Sequence, residues 1–344
     1  MTFFERDTNI QAKVLADSIS PEGQRFTTFE VEAPRIVLAE TNTHHAIVKN
    51  CSSTRAITIA KAIQQIEENG FEPVYWGKKQ TGMSAKEELS GIRLELAGSY
   101  WKQAKRNAIR MVEALDGIEA HKQIAGRLLE PFQMVKQVLS ATDLDNFFNL
   151  RIHPDAQPEI LMLAYKMYKA LQASTPNRLR VGEWHLPYVE IFQDQNPEET
   201  YYHVWDIDTT GTETDGYHFE QRLTLEEAQR ISASCCAQVS YRNTDNSLDK
   251  ADMIFDRLIH ADVLHASPFE HLATPIQETR ANMSVATSVN IPVLPNTWEK
   301  GITHFRKDGR FGSGSLAGWI SYRHLMENNT CWKFDFDERM KLFA

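Results

Sequence analysis

Leu89, Ile92, Leu96, Tyr100 and Ala104 fall at helical spacing, and Ser84-Ala85-Lys86-Glu87 ahead of them reads as a capping box. The pattern predicts one long helix of about 30 residues opening at Ser84. Shorter helices are expected over Ser53–Asn69, closed by Gly70, and over 120–138, 142–150 and 156–172. Thr224-Leu225-Glu226-Glu227 is a second capping box, opening a helix to about Cys236. Helices over 249–261 and Trp319–Met326 follow. Before all of these, Phe26, Phe29 and Val31 give the partial alternation of a strand, and Pro34 suits a helix start, where its missing N–H costs nothing. Strands mixed with long helices make this an α+β chain.

The organisation reads as two halves. Residues 15–190 carry the first strand and most helices, the polar, turn-rich segment 191–222 reads as a surface excursion, and 223–344 form the second half. Residues 290–318 are rich in Gly, Pro and Ser. Both halves are expected to build one catalytic domain.

A net charge of −9 over 344 residues argues against a protein that wraps nucleic acid, because phosphate neutralisation needs a basic face. No apolar run of about 18 residues exists for a membrane span, and Met1–Asp7 lacks the basic-then-apolar order of a secretory signal. The cytoplasm is the expected address. Cys51, Cys235, Cys236 and Cys331 have neither zinc nor disulfide spacing, and adjacent Cys235 and Cys236 read as small buried side chains.

Three clusters carry polar chemistry. Thr43-His44-His45, Lys49-Asn50-Cys51-Ser52-Ser53-Thr54-Arg55 stands just before a helix, where free N–H groups and the dipole favour a phosphate. Arg55 there could clamp it with two hydrogen bonds; the same residues also read as an ordinary cap with a solvated arginine. Asn146-Phe147-Phe148-Asn149-Leu150-Arg151, with His153, Asp155 and Gln157, suits a nucleotide or a helix junction. Arg127, four residues before Pro131, reads as a surface ion pair or a further anion contact. His265-Ala266-Ser267-Pro268-Phe269-Glu270-His271 invites a metal reading, but a spacing of six across a proline does not place both imidazoles on one helical face, so no metal is expected. No Gly-rich dinucleotide fingerprint is present.

Together these residues resemble the flavin-dependent thymidylate synthases. His44, Asn50, Ser53 and Arg55 agree with that family's motif frame without a gap, and Phe29-Glu30-Val31-Glu32-Ala33-Pro34 resembles the strand leading to it. Asn149-Leu150-Arg151 with Ala156-Gln157 resembles its nucleotide helix. Val239-Ser240-Tyr241 and His265 to His271 resemble segments that the family carries at its N-terminus, so the order here is permuted, as in bacteriophage members. Those members are also similar at Trp76-Gly77, Gly182-Glu183-Trp184-His185 and Gly318-Trp319-Ile320. The departures are Thr43 and His45 for the two motif arginines, Val48 for Ser, Cys51 for Glu and Ala56 for Tyr, with Glu40 where many members have Gln.

The resemblance implies an antiparallel or mixed sheet flanked by long helices. It implies transfer of a one-carbon unit from 5,10-methylenetetrahydrofolate to C5 of dUMP, with FAD relaying carbon and hydride and NADPH as reductant. The alternative is a hydroxymethylase acting on dUMP or dCMP. By carry-over, Arg55, Ser53, Arg127, Arg151 and Glu40 bind substrate, with Arg151 and Ser53 closest to the chemistry. His44, His45, Asn50, Asn146, Leu150, Ser240, His265, Ser267 and Glu270 would line the flavin. Relatives imply a homotetramer, with no nucleic acid or membrane partner.

Overall fold

The alternating strand foreseen around Phe26–Val31 lies at the centre of the molecule. The computed structural model describes residues 3–193, 200–205, 220–240, 244–260, 264–277, 298–331 and 333–343. Strands β1 (Gln11–Ile19), β2 (Arg25–Pro34), β3 (Val48–Cys51), β4 (Met134–Ala141) and β5 (Asn177–Arg178) form a sheet in the order β3-β4-β2-β1-β5. All pairings are antiparallel except β1 with β5, so the sheet is mixed.

Both faces of β2 are buried, and each is covered by a different part of the chain. Phe29, Val31 and Ala33 pack with Ile160, Leu163 and Met167. These three belong to helix α6, the last of α1 (Leu38–Asn42), α2 (Ile59–Asn69), α3 (Ile92–Gly117), α4 (Lys122–Ala125), α5 (Asp145–Arg151) and α6 (Pro158–Ala173). Phe26, on the opposite face, packs with Trp319 and Ala273 from the late chain. Each fully buried side chain of this size contributes about 1.5–3 kcal/mol, so both covers are held strongly.

Beside Phe26 runs a buried polar chain. His185 Nδ1 meets Ser18 Oγ at 2.9 Å, its Nε2 meets Thr28 Oγ1 at 2.8 Å, Thr28 meets Ser140 Oγ at 2.6 Å, and Ser140 meets His271 Nδ1 at 2.7 Å. Both imidazoles are fully buried. His271 is therefore a sheet anchor, not one of a pair with His265; among the described residues no group of three or more metal-ligating side chains gathers.

The described part of 191–222 contributes to a second sheet, β6 (Glu190–Gln193), β7 (Thr200–Trp205) and β8 (Glu220–Leu223). Tyr202, Val204 and Leu223 are buried from it against Ala228, Ile231 and Phe255. Those residues come from α7 (Leu225–Ala237) and α8 (Leu248–Ile259). The Thr224 box forms as expected: its hydroxyl accepts the Glu227 N–H while the Glu227 carboxylate accepts the Thr224 N–H. Late in the chain, β9 (Ala273–Pro275) precedes the short strands β10 (His304–Phe305), β11 (Phe311–Ser313) and β12 (Leu316–Ala317), and β13 (Trp319–Ser321) pairs with β9. Residues 290–297 of the Gly- and Pro-rich stretch lie outside the described residues.

Several boundaries differ from the sequence expectation. The long helix opens at Ile92, not Ser84. Residues 77–89 fold back on themselves instead, with Lys78 N–H on the Glu87 carbonyl and Leu89 N–H on that of Trp76. Glu87 pairs with Lys78 rather than closing a capping box, and the Glu88 carboxylate takes both Arg6 amino groups. Helix α2 begins at Ile59, because the Thr58 hydroxyl caps it while the Ser53 N–H is taken by another segment. Residues 120–138 are α4, a 3-10 turn over Gly126–Phe132 and then β4. The turn runs through Pro131 and closes with the Gln133 N–H on the Glu130 carbonyl, and a strand buried on both faces shows the same apolar run as a buried helix. Pro34 closes β2 and stands at the N-terminal boundary of the 3-10 turn Arg35–Val37 that runs into α1, so a helical segment does follow it, while β13 occupies the start of the expected Trp319–Met326 helix. Among the described residues no helix is long and apolar enough to cross a membrane.

Candidate active site

Strand β3 and the loops on either side of it gather residues from four distant segments. Arg151, at the last turn of α5, donates its Nε–H to His44 Nε2 at 2.8 Å. Its Nη2 reaches the Thr43 hydroxyl at 3.0 Å and the Glu40 carbonyl at 3.4 Å. The guanidinium is thereby fixed in orientation by three acceptors. His44 is buried, with its ring edge-on to Phe147. Burial first, then the Arg151 charge, lowers its pKa, so the ring is neutral, accepts at Nε2 and carries its proton on Nδ1. The Glu40 carboxylate lies near that of Glu159, and its Oε2 is buried with no hydrogen-bond partner among the described residues.

On β3 itself, Asn50 is buried and its Nδ2 donates to the Cys236 carbonyl at 3.0 Å. Two residues on, the Ser53 N–H donates to the Ser240 hydroxyl at 2.9 Å. The turn Ser267–Glu270 also packs against β3. Lys49 donates to the His44 carbonyl at 2.8 Å; burial lowers its pKa, and the Glu270 charge offsets part of that. Glu270 is itself held by Arg323. Segments 236–240 and 267–270, more than 180 residues from β3, thus meet the motif directly.

A cavity of about 420 Å³ opens beside this junction. Ser53 and Ser240 form one wall, Lys61 and Asn69 of α2 another, and Glu32, Arg35, Gln133 and Lys136 a third. The β2–β4 register sets Glu32 opposite Lys136, which brings these side chains to one strand end.

Residues 20–177 match the family model described as thymidylate synthase complementing protein. That segment, a little under half of the chain, is what is similar to the flavin-dependent thymidylate synthases. The mixed α+β architecture accords with the family. Two solved structures are similar at a distance: the UMP/dUMP methylase PolB from Streptomyces cacaoi bound with 5-Br UMP, and the same protein bound with 5-Br dUMP. Each is 16% identical, with 48% of this chain and 90% of that chain covered and a TM-score of 0.41. No curated protein matches this chain in sequence.

The thymidylate synthase motif residues are brought together unevenly. Arg151, Glu40 and His44 share one cluster; Ser53, Ser240, Asn50 and Glu270 share the β3 junction. Arg55 is exposed on the loop after Ser53. Arg127 is engaged by Glu130 at 2.5 Å and makes no hydrogen bond to the Arg151 cluster. His45, Asn146, Leu150, His265 and Ser267 are exposed, Leu150 to 50%. Sequence reading missed Gln133, Lys136, Arg35 and Lys61. They sit singly in ordinary strand or helix contexts, and only the strand register reveals that they converge.

Proposed function

We propose that the chain is a flavin-dependent thymidylate synthase, moving a one-carbon unit from 5,10-methylenetetrahydrofolate to C5 of dUMP. FAD, reduced by NADPH, would supply the hydride and relay the carbon. The observation that carries the reading is the Ser53 N–H to Ser240 hydroxyl bond, which joins a segment 187 residues away in sequence to the motif. Residues 20–177 supply the motif and nucleotide helix. Residues 223–344 supply the remaining flavin segment, and both halves act as one catalytic unit.

Glu40, whose backbone carbonyl accepts from Arg151, would offer its carboxylate as an acceptor for a ring N–H, as a pyrimidine or an isoalloxazine has. Arg151 would place a fixed positive charge against the pyrimidine, the electrostatic help that such a reaction asks for. Ser53, Arg55 and Arg127 would hold the phosphate, with Arg127 released from Glu130 to do so. His44, Asn50, Asn146, Leu150, Ser240, His265, Ser267 and Glu270 would hold the flavin, with exposed His45 reaching its phosphates. Neutral His44 can donate through Nδ1 and accept Arg151 at once. The exposure of Arg55, Leu150, His265 and Ser267 supports a site completed by neighbouring copies in a homotetramer.

Purified protein should be yellow, with FAD released on denaturation. Ser240→Ala removes the hydroxyl at the junction and should lower bound FAD about tenfold, a typical loss for one hydrogen bond in a built site. Circular dichroism should stay unchanged. Full flavin occupancy in that variant, or colourless wild-type protein that takes up no FAD, would refute the assignment.

A further inference from the structure

Helix α3 carries two apolar faces, and its own chain covers one of them. Trp101, Ala108, Ile109, Val112 and Leu115 pack against α2 and the 3-10 turn Gly126–Phe132. On the other side Ile92, Leu96, Tyr100, Met111 and Ile118 follow helical spacing from one end to the other, and all are exposed, by 42% to 75%. Tyr100 and Met111 stand about 16 Å apart along the axis, with the small, exposed Ala104 between them. Arg106 and Arg110 are exposed along the same stripe, and Arg110 donates to Asn107 of its own helix. A contiguous apolar surface of this extent, rimmed by charge, marks a contact with another protein surface.

The complementary chemistry lies later in the same chain. The short helix Phe336–Met340 runs into the 3-10 turn Lys341–Phe343. Phe336, Met340 and Phe343 stand at i, i+4 and i+7, the spacing of anchors on one helical face, and all three are exposed. Asp335 and Asp337, exposed as well, flank Phe336 with the charge opposite to that of Arg106 and Arg110. We propose that segment 334–343 of one copy docks on the exposed face of α3 in a second copy. Phe336 and Met340 seat between Tyr100 and Met111, and Asp335 and Asp337 face Arg106 and Arg110. Eight helical residues span about 12 Å, which fits between those two side chains. Covered apolar area supplies the affinity, while the opposite charges set register and orientation. Reciprocal exchange of the two segments closes a twofold pair. The contact needs neither flavin nor nucleotide, so it stands or falls apart from the activity proposed above.

Sedimentation velocity of the full chain over a range of concentrations measures the association. Phe336→Ser combined with Met340→Ser should weaken it by about tenfold for each anchor lost. Arg106→Glu with Arg110→Glu should weaken it about tenfold, and Asp335→Arg with Asp337→Arg by a similar factor. All four charge changes together should restore it, because each pair is then reversed rather than broken. Every altered side chain is exposed, so circular dichroism and the thermal midpoint should match the wild type. Wild-type protein that sediments as a single chain at every concentration overturns the proposal, as does association that the serine changes leave unmoved. Losses in the two charge-reversed chains that the fourfold variant does not regain also overturn it, since segment and helix would then act on different partners.

Discussion

Lowering the pH from 7 to 5 should cost the fold about 4 kcal/mol, read as the free energy of urea unfolding at each pH. Most of it comes from His185 and His271, whose pKa values burial depresses from 6.5 to about 3, with His44, His304 and His324 lowered by burial in the same direction. At His185 the Asp17 charge pulls the other way and the neighbouring His271 reinforces burial. In the unfolded chain both imidazoles titrate near 6.5. Between that value and about 3 the unfolded state binds two protons that the folded state refuses, so stability falls with falling pH, by about 1.4 kcal/mol per pH unit for each ring. Above pH 6.5 the loss is absent. Carboxylates with lowered pKa, such as Glu30 and Glu88, add their own loss only further down, below the usual carboxylate range. His271→Gln cannot titrate and can still hydrogen-bond to Ser140, so it should halve the loss between pH 7 and 5. A flat stability profile over that interval would contradict the buried chain.

Arg151→Lys should lower kcat/KM for dUMP by about 10²–10³, the usual loss when one preorganised charge or donor is removed. The guanidinium reaches His44, Thr43 and Glu40 at once, and a lysine ammonium on a flexible stem cannot reproduce that fork. The side chain is half-buried at a helix end, so the thermal midpoint should move far less than the activity. A variant with wild-type kcat/KM would remove Arg151 from the site, and one that fails to fold would make its role structural.

Much of this was legible before the coordinates. The β2 alternation, the Thr224 capping box, α6 and the approach of distant segments to Asn50 and Ser53 all follow from local pattern or from the family resemblance. The failures have physical causes. Ser84 has the composition of a cap, but Glu87 and Glu88 find stronger partners in Lys78 and Arg6, and a long-range ion pair is invisible to a four-residue motif. The apolar residues Val135, Val138, Leu139 and Ala141 are spaced for a helix as well as for a strand buried on both faces. The spacing of His265 and His271 argued against a metal pair, but it could not name Ser140 as the partner of His271, which only the tertiary fold reveals.

The central claim is that late and early segments build one pocket for a flavin and a pyrimidine nucleotide. It is tested most directly by tritium release from C5 of dUMP on mixing the protein with FAD, NADPH and 5,10-methylenetetrahydrofolate. Release that depends on FAD and on the folate is the expected result. Protein that holds FAD and dUMP but releases no tritium above background would contradict it.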